Sequence, residues 1–347
     1  MEKPPASLKK TSRAARPGTG GITLSDVAHL AGVSAITVSR ALNTPTAVSP
    51  HTLERVRSAI SRSGYVPNLV AGGLASNRSR LVAALVPSIA GPVFLETIQA
   101  LTDALAEAGC QLMLGQSGYS GDREDALLDA IIGRRPDGIV LTGIMHSAQG
   151  RRRLLASGIP VVETWDITPT PIDMIVGFSH ENVGKAAADY LFGQGFRRPG
   201  MVIAEDQRAV RRSAGFEQRF SELGVTGIPV AVVSAPSSLG NGRAGFADLR
   251  TRHPGIDVVF CGSDVIAHGV VTEAQALGLA IPGDIAVMGF GDLPFAAFTH
   301  PPLTTVRIDG TSIGRQAARF ILDRAENRDV GSRVRDLGFS IMKRASA

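Results

Sequence analysis

Apolar and polar positions follow two patterns along this chain. From residue 81 onward, short apolar runs alternate with amphipathic stretches of helical length. Buried strands that alternate with covering helices are typical of parallel sheets built from βαβ units. The pattern predicts nine strands, at residues 81–86, 111–114, 138–141, 159–162, 174–178, 201–204, 230–233, 258–261 and 285–290.

Nine strands within residues 81–347 exceed one comfortable sheet of this kind. We therefore predict two similar α/β subdomains that divide near residue 180, with the C-terminal segment crossing back. Strand ends and loops from both sheets converge where two such lobes meet, so the cleft between them is the predicted site for a small molecule.

The first 80 residues follow a helical pattern instead. Residues 1–21 are rich in Pro and Gly, have no apolar period, and are predicted to form a disordered basic arm. In residues 22–66, Thr23 and Ser34 are placed to cap two short helices, and Gly32 permits a tight turn between them. Ser49 opens a third helix, at residues 50–63. The predicted core of these helices comprises Val27, Ala28, Leu30, Ala31, Val38, Leu42, Leu53, Val56 and Ile60.

Charge separates the two parts of the chain. Residues 1–80 contain eleven Lys and Arg against three acidic residues, whereas the remaining residues contain 25 basic and 28 acidic side chains. The first part therefore has a net charge of +8 and the second of −3, within an overall charge of +5. A small basic segment on a larger acidic one indicates a polyanion-binding head on a body with another task.

Several classes of protein are excluded by the sequence. No apolar run approaches the length of a membrane span, and the N-terminus lacks an apolar signal core, which indicates a cytoplasmic protein. The only two cysteines, Cys110 and Cys261, lie in apolar runs and are predicted to be buried thiols. The seven histidines form no HExxH pair, and Walker A, GxGxxG and GxSxG motifs are absent, so we expect neither an enzyme nor a metal or cofactor site.

The two capped helices form a helix-turn-helix pattern, and the chain from Ile22 onward resembles the LacI/GalR family of bacterial transcription regulators. Residues 67–80 correspond to the family's hinge helix and linker, which becomes helical on operator DNA. The resemblance implies that Leu74 is inserted into the minor groove, where bending of the DNA offsets the unstacking of one base step. Gly72 and Gly73 stand where many members have arginine, and they weaken the hinge helix by up to about 1 kcal/mol each.

The resemblance also assigns DNA contacts by position. Ala35, Ile36 and Arg40 would read bases, with Ile36 acting through apolar contact and Arg40 as the polar reader. Ile36 in the core and Tyr65 as a packing residue are the alternatives. The DNA-contacting set comprises Thr23, Leu24, Ser34, Ala35, Ile36, Thr37, Ser39, Arg40, Asn43, Ser49, Tyr65, Asn68, Ala71 and Leu74.

The body of this family resembles periplasmic sugar-binding proteins and binds a small effector in its cleft. Residues 115–119, 135–138, 163–166, 171–173 and 289–291 look most like the gluconate-utilisation repressor subgroup. Other members carry paired aspartates where this chain has Gly291 and Asp292, and the loss of one carboxylate fits an anionic effector. The effector-binding set comprises Ser88, Phe94, Trp165, Asp166, Arg212, Ser263, Asp264 and Asp292.

Arg212 is the best candidate to bind a sugar carboxylate, because a guanidinium offers a bidentate fork. Each of these residues also has a structural interpretation. Arg212 belongs to a run with Arg208 and Arg211 that is equally consistent with a solvated surface. Trp165 and Phe94 are equally explained as packing residues. Ser263 and Asp264 are equally explained as the cap of the next helix.

We therefore expect a repressor of a carbohydrate operon, for gluconate or a related sugar acid, that binds double-stranded operator DNA as a homodimer. The effector would release it from a pseudo-palindromic operator. The alternatives are a corepressor-dependent regulator, or one that senses a neutral or phosphorylated sugar. A solute-binding protein for transport and a constitutive DNA-bending protein explain only part of the chain.

Replacement of Leu74, the residue expected to be inserted as a wedge into the minor groove, tests the hinge assignment. Leu74→Gly removes the side chain that would enter the minor groove, so we expect it to lower affinity for operator DNA more than for random duplex. Binding titrations with the two duplexes measure the difference. Equal losses on both would remove the wedge hypothesis.

Overall fold

The structure, a computed structural model, describes residues 21–67 and 78–347, apart from residues 90, 120 and 145. The chain divides into two compact units, Met1–Asn77 and Arg78–Ala347. We call the described part of the first unit the head and the second unit the body. The arm at residues 1–20 and most of the hinge, residues 68–77, lie outside the described residues.

The head consists of three helices around a small core. Helix α1 spans Leu24–Ala31, α2 spans Ala35–Asn43 and α3 spans Pro50–Ser63, with a 3-10 turn at Pro45–Ala47. The buried core comprises Val27, Ala28, Ala31, Val38, Ala41, Val56 and Ala59. The sequence predicted Leu30 in this core, but Leu30 is 49% exposed and lies outside it. Alanines at 41 and 59 fill the inner face instead, because the three short helices approach closely.

The helix boundaries in the head follow from capping. Thr23 and Asp26 form a capping box in which each side chain accepts a hydrogen bond from the other's backbone amide. Ser34 accepts from the Thr37 amide, which starts α2. Gly32 ends α1 at a φ of +61°, where a side chain would be strained and would also collide with the Arg55 guanidinium. Arg55 donates to the carbonyl of Ala31 at 2.5 Å and so fixes the end of α1.

The body contains two six-stranded sheets. The first has the strand order β11-β5-β4-β3-β1-β2 and is parallel throughout. Its strands are β1 Leu81–Val86, β2 Gln111–Gln116, β3 Gly138–Thr142, β4 Val161–Thr164, β5 Met174–Gly177 and β11 Val334–Asp336.

The second sheet has the order β12-β10-β9-β8-β6-β7, and only β12 is antiparallel to its neighbour. Its strands are β6 Pro199–Ala204, β7 Val230–Val233, β8 Val258–Cys261, β9 Ala286–Gly291, β10 Thr304–Arg307 and β12 Ser340–Met342. The predicted fold class, a helical head with a two-sheet α/β body, is confirmed. Each of the nine predicted runs overlaps a strand, while β10, β11 and β12 were not predicted as strands.

Eight helices cover the described parts of the two sheets. They are α4 Leu95–Glu107, α5 Gly121–Ile132, α6 Ala148–Ser157, α7 His180–Gly193, α8 Gln207–Glu222, α9 Leu239–Arg252, α10 Asp264–Ala276 and α11 Gly310–Ala325. Helix α11 follows β10 of the second sheet and packs against α4 beside the first sheet. The chain then adds β11 to the first sheet and β12 to the second, so that the two lobes are joined by more than one crossing.

Helices α7 and α8 pack closely at Gly184. A Cβ atom added to Gly184 would collide with the backbone of Arg212 and Phe216 on α8. This contact sets the distance between His180, at the start of α7, and Arg212, whose side chains meet in the cleft.

Cys110 and Cys261 are both buried free thiols, as predicted. No helix in the described ranges is both long and apolar enough to cross a membrane.

Gly184→Ala tests the importance of this contact. The added methyl group would force the two helices apart, so we expect the free energy of unfolding to fall by about 1–3 kcal/mol. Gly193→Ala at the end of the same helix is the control, because nothing lies within 4 Å of a Cβ there. It should leave stability unchanged or raise it by up to about 1 kcal/mol. Denaturant unfolding measures both, and equal stability of the two variants would contradict the packing argument.

Candidate nucleic-acid interface and ligand cleft

The exposed face of α2 presents the side chains that the sequence assigned to base reading. Ile36 is 67% exposed, and Arg40 is exposed as well. Val38, between them, is fully buried. At the N-terminal end of α2, the hydroxyls of Ser34 and Thr37 lie 2.9 Å apart. This end of the helix is suited to a phosphate group.

Other predicted DNA contacts take part in the structure of the head itself. Leu24, Ala35 and Tyr65 are half-buried and pack against the head core, so Ala35 is less outward than the sequence suggested. Asn43 donates to the Ser39 hydroxyl at 3.3 Å, which leaves the asparagine oxygen available. Thr23 and Ser49 are exposed caps. Asn68, Ala71 and Leu74 lie outside the described residues.

In the body, loops that follow the strands of both sheets surround a cavity with about 650 Å³ of space between atoms, including open solvent at its mouth. We call it the inner chamber. The first lobe contributes Phe94 and Trp165, and the second contributes Asp206, Ser263 and Phe290. The chamber therefore lies where the sequence predicted a ligand site, between the carboxyl ends of two parallel sheets.

Arg212 is the central charged group of the inner chamber. Only 5% of it is exposed, and its guanidinium stacks on the Phe290 ring at 3.7 Å from the centroid. Its Nη1 donates to His180 and its Nη2 donates to the Gly262 carbonyl at 2.7 Å, while Nε has no hydrogen-bond partner. Burial lowers the pKa of Arg212 to about 10, so the group remains charged at neutral pH. The chamber thus contains a buried cation whose direct partners are both uncharged.

His180 holds this guanidinium in place. Its Nε2 lies 2.8 Å from the Trp165 carbonyl, and because a carbonyl only accepts, Nε2 carries the proton. Nδ1 is then an acceptor for Arg212 Nη1 at 2.9 Å. Burial, together with the charge of Arg212, keeps the pKa of His180 well below its usual value. The imidazole is therefore neutral and does not compete with a ligand for the arginine.

The neighbouring charges form pairs of their own. Arg208 binds the Asp206 carboxylate through Nε and Nη2, at 3.2 and 2.8 Å. Arg211 donates to the buried Asp166 at 2.6 Å. The run of three arginines is thus not a solvated surface, because two of its members are paired with carboxylates and Arg212 is buried. Among these three arginines and two aspartates, Arg212 is therefore the one residue that is not in an ion pair with a carboxylate.

Aromatic rings form the wall opposite Arg212. Trp165 adopts a φ of +63°, a conformation that is costly for a bulky residue. It is held there by a hydrogen bond from Nε1 to Thr97 at 3.0 Å and by edge contacts with Phe94 and Phe178. Trp165 and Phe94 therefore both pack the lobe and line the chamber, so the two interpretations drawn from the sequence are compatible.

The predicted effector residues separate into two groups. Phe94, Trp165, Arg212 and Ser263 line the inner chamber. Ser88, Asp166, Asp264 and Asp292 are not among its lining residues. Ser88 is buried, and Asp166 is held by Arg211.

The two remaining aspartates have structural contacts. Asp264 is fully buried and accepts from Thr305 and from the Leu293 amide, and burial raises its pKa to about 6. Asp292 pairs with Arg344 at 2.7 Å beside a separate cavity. Both carboxylates thus organise the loops of the second lobe.

Sequence reasoning missed His180, Asp206 and Arg208 as cleft residues. His180 occurs in the 177–182 motif, but a lone histidine gives no signal that it will bind an arginine 32 residues away. Asp206 and Arg208 follow β6 directly, and the position after a strand was the available clue. Within the described residues, no group of three or more His, Cys, Asp or Glu is arranged to hold a metal ion.

Comparison with known proteins places both units in one family. Residues 23–68 match the model of bacterial regulatory proteins of the lacI family, and residues 188–347 match a periplasmic binding protein-like domain. HTH-type transcriptional regulator GntR of Pseudomonas aeruginosa is 37% identical over 94% of this chain and 96% of its own length. The regulator of the same name from Escherichia coli is 31% identical over 92% of this chain and 96% of its own.

A solved structure extends the comparison to the fold. A LacI-family transcriptional regulator from Silicibacter pomeroyi is 34% identical and superposes with a TM-score of 0.88, covering 94% of this chain and 99% of its own. These relatives are transcriptional regulators and not enzymes. The chain belongs to the LacI family of DNA-binding transcriptional regulators.

Proposed function

We propose that this regulator is a cytoplasmic homodimeric repressor of a sugar-acid utilisation operon, and that gluconate or a closely related acid releases it from its operator. The effector occupies the inner chamber with its carboxylate on Arg212. The observation that carries this proposal is the buried guanidinium whose two hydrogen bonds go to an imidazole and a carbonyl.

A buried charge without an ionic partner is costly, and an anionic ligand would remove that cost. Five N–H groups are available on a guanidinium and two are used, so three remain, including the one on Nε. Two of these fit the two oxygens of one carboxylate. A neutral sugar would leave the charge of Arg212 uncompensated.

The other walls of the chamber suit the rest of a sugar acid. Trp165 and Phe290 offer apolar ring surface to C–H groups, while Ser263 and Ser237 offer hydroxyls. Ser263 accepts a hydrogen bond from the Ile266 amide and retains its own proton for a ligand oxygen. The effector therefore has partners for each chemical part.

On the DNA side, two heads of a dimer occupy the half-sites of a pseudo-palindromic operator. Ile36 and Arg40 of α2 enter the major groove, and the paired hinges, residues 67–80, place Leu74 in the minor groove at the centre. The hydroxyls of Ser34 and Thr37 contact phosphates. These roles follow from the exposure of α2 and from the resemblance of the sequence.

Because Arg212 belongs to the second lobe and Trp165 to the first, an effector that contacts both favours the closed arrangement of the lobes. A change in the lobe angle would separate the paired hinges and weaken operator binding. Linkage requires that operator DNA weaken effector binding by the same factor.

Calorimetric titration of the full chain with gluconate, its phosphorylated and keto forms, glucose and sorbitol tests the effector class. We expect at least one sugar acid to bind at least about 30-fold more tightly than the neutral compounds, since an unpaired buried charge costs about 2 kcal/mol or more. Tight binding of a neutral sugar alone would reject the sugar-acid assignment.

Arg212→Met keeps much of the side-chain volume and removes the charge. We expect the variant to bind operator DNA normally in fluorescence anisotropy. Sugar acid should no longer release it from the DNA, because its affinity for the acid falls by about 30-fold or more. Arg219→Met is the control, because Arg219 lies on the same helix and pairs with Asp189 and Glu222 at the surface. Normal release of Arg212→Met by the acid would clear Arg212 of the ligand role.

A further inference from the structure

The interlobe cleft continues beyond the inner chamber into a second cavity. This outer chamber has about 1200 Å³ of space, including open solvent at its mouth. Tyr119, Asp206 and Arg208 line both chambers and mark the boundary between them. An elongated ligand whose carboxylate lies on Arg212 can extend past these three residues into the outer chamber.

The two chambers differ in charge. In the inner one, Arg208 and Asp206 neutralise each other and Arg212 leaves an excess of one positive charge. In the outer one, the same pair is joined by Glu124, His146 and Glu205. Glu205 is exposed at the end of β6 and belongs to the second lobe, while Glu124 and His146 belong to the first.

His146 does not make the outer chamber positive. Its Nδ1 lies 2.6 Å from Glu124 and its Nε2 lies 3.1 Å from the Gly143 carbonyl, so each ring nitrogen faces an acceptor, which raises the pKa of His146 and favours the imidazolium. Glu124 neutralises that charge directly. Behind it, Oε1 of the fully buried Glu163 lies 3.6 Å from His146 and has no hydrogen-bond partner. With both pairs neutralised, Glu205 leaves the lining with an excess of one negative charge.

We propose that this gradient makes the outer chamber a selectivity filter, which accepts sugar acids with an uncharged hydroxyl end and excludes acids with a second anion at that end. The inference rests on the proposed function, since it takes the first carboxylate to lie on Arg212. Glu205 is the residue that determines the selectivity, together with Glu124.

The chemistry of the lining gives the same preference. Ionised carboxylates only accept hydrogen bonds, and a free hydroxyl donates one. A phosphate or second carboxylate at neutral pH offers no such proton and is repelled by Glu205. The cations that line the chamber, Arg208 and His146, are already bound to Asp206 and Glu124 and would have to leave those partners to bind it.

Calorimetric titration of the full chain with gluconate, glucarate and 6-phosphogluconate tests the filter. All three share one carboxylate end, and the last two add an anion at the other end. We expect gluconate to bind about tenfold or more tightly than either, the size of one unfavourable charge contact at close range in a partly exposed site.

Charge-neutral variants assign the effect to residues. Glu205→Gln should raise the affinity for glucarate and 6-phosphogluconate by about threefold or more relative to the affinity for gluconate, because glutamine removes the charge and keeps an oxygen that accepts from a hydroxyl. The double variant Glu124→Gln with Glu205→Gln should raise the affinity for the two dianionic acids further. Glu217→Gln is the control, because Glu217 is exposed on α8 and outside both chambers.

The outcomes separate this inference from the proposed function. If gluconate binds and either glucarate or 6-phosphogluconate binds as tightly, the filter is wrong while the acid effector stands. If selectivity is present and Glu205→Gln leaves it unchanged in both the single and the double variant, the assignment to these carboxylates is wrong. If none of the three acids binds, the proposed effector class fails, and the filter fails with it.

Discussion

The arrangement of the body depends on one constraint, the burial of the Arg212 guanidinium without an ionic partner. A charge in a cavity lined by Phe290 and Trp165 is unfavourable unless a second charge compensates it. The protein supplies only partial compensation, through the neutral His180 and the carbonyl of Gly262. The buried guanidinium is therefore an unfavourable interaction that a suitable anion would relieve, and this difference would be available to drive a change between two states.

The rest of the second lobe positions that group. Gly184 allows α7 and α8 to approach closely enough for His180 to reach Arg212. The carboxylates of Asp206 and Asp166 are held by Arg208 and Arg211, which prevents them from neutralising Arg212 directly. Through Trp165, whose carbonyl binds His180, the same network reaches the first lobe. A ligand bound to Arg212 would therefore contact a network that includes both lobes.

Periodicity predicted the fold class, since nine apolar runs became strands and three capped helices formed the head. It failed for β10, which has a single apolar residue in Thr304–Arg307, and for β11 and β12, which are three residues long and partly exposed. It placed Leu30 in the core, because its spacing does not distinguish it from Ala31 on a helix of two turns. Residue type and the family resemblance made Arg212 a candidate for ligand binding, but they did not indicate whether its neighbours were solvated. That depended on which carboxylates lie nearby, and Asp166 is 45 residues from Arg211 in sequence. The same limit applies to Asp264, whose backbone partner Leu293 is 29 residues away.

The most direct test of the account is the structure of the complex with gluconate. Its central claim predicts one carboxylate oxygen within about 2.7–3.2 Å of Arg212 Nε and the other at a guanidinium Nη atom, while His180 keeps its bond to the Trp165 carbonyl. A complex in which the carboxylate lies elsewhere and Arg212 Nε remains without a partner would contradict it.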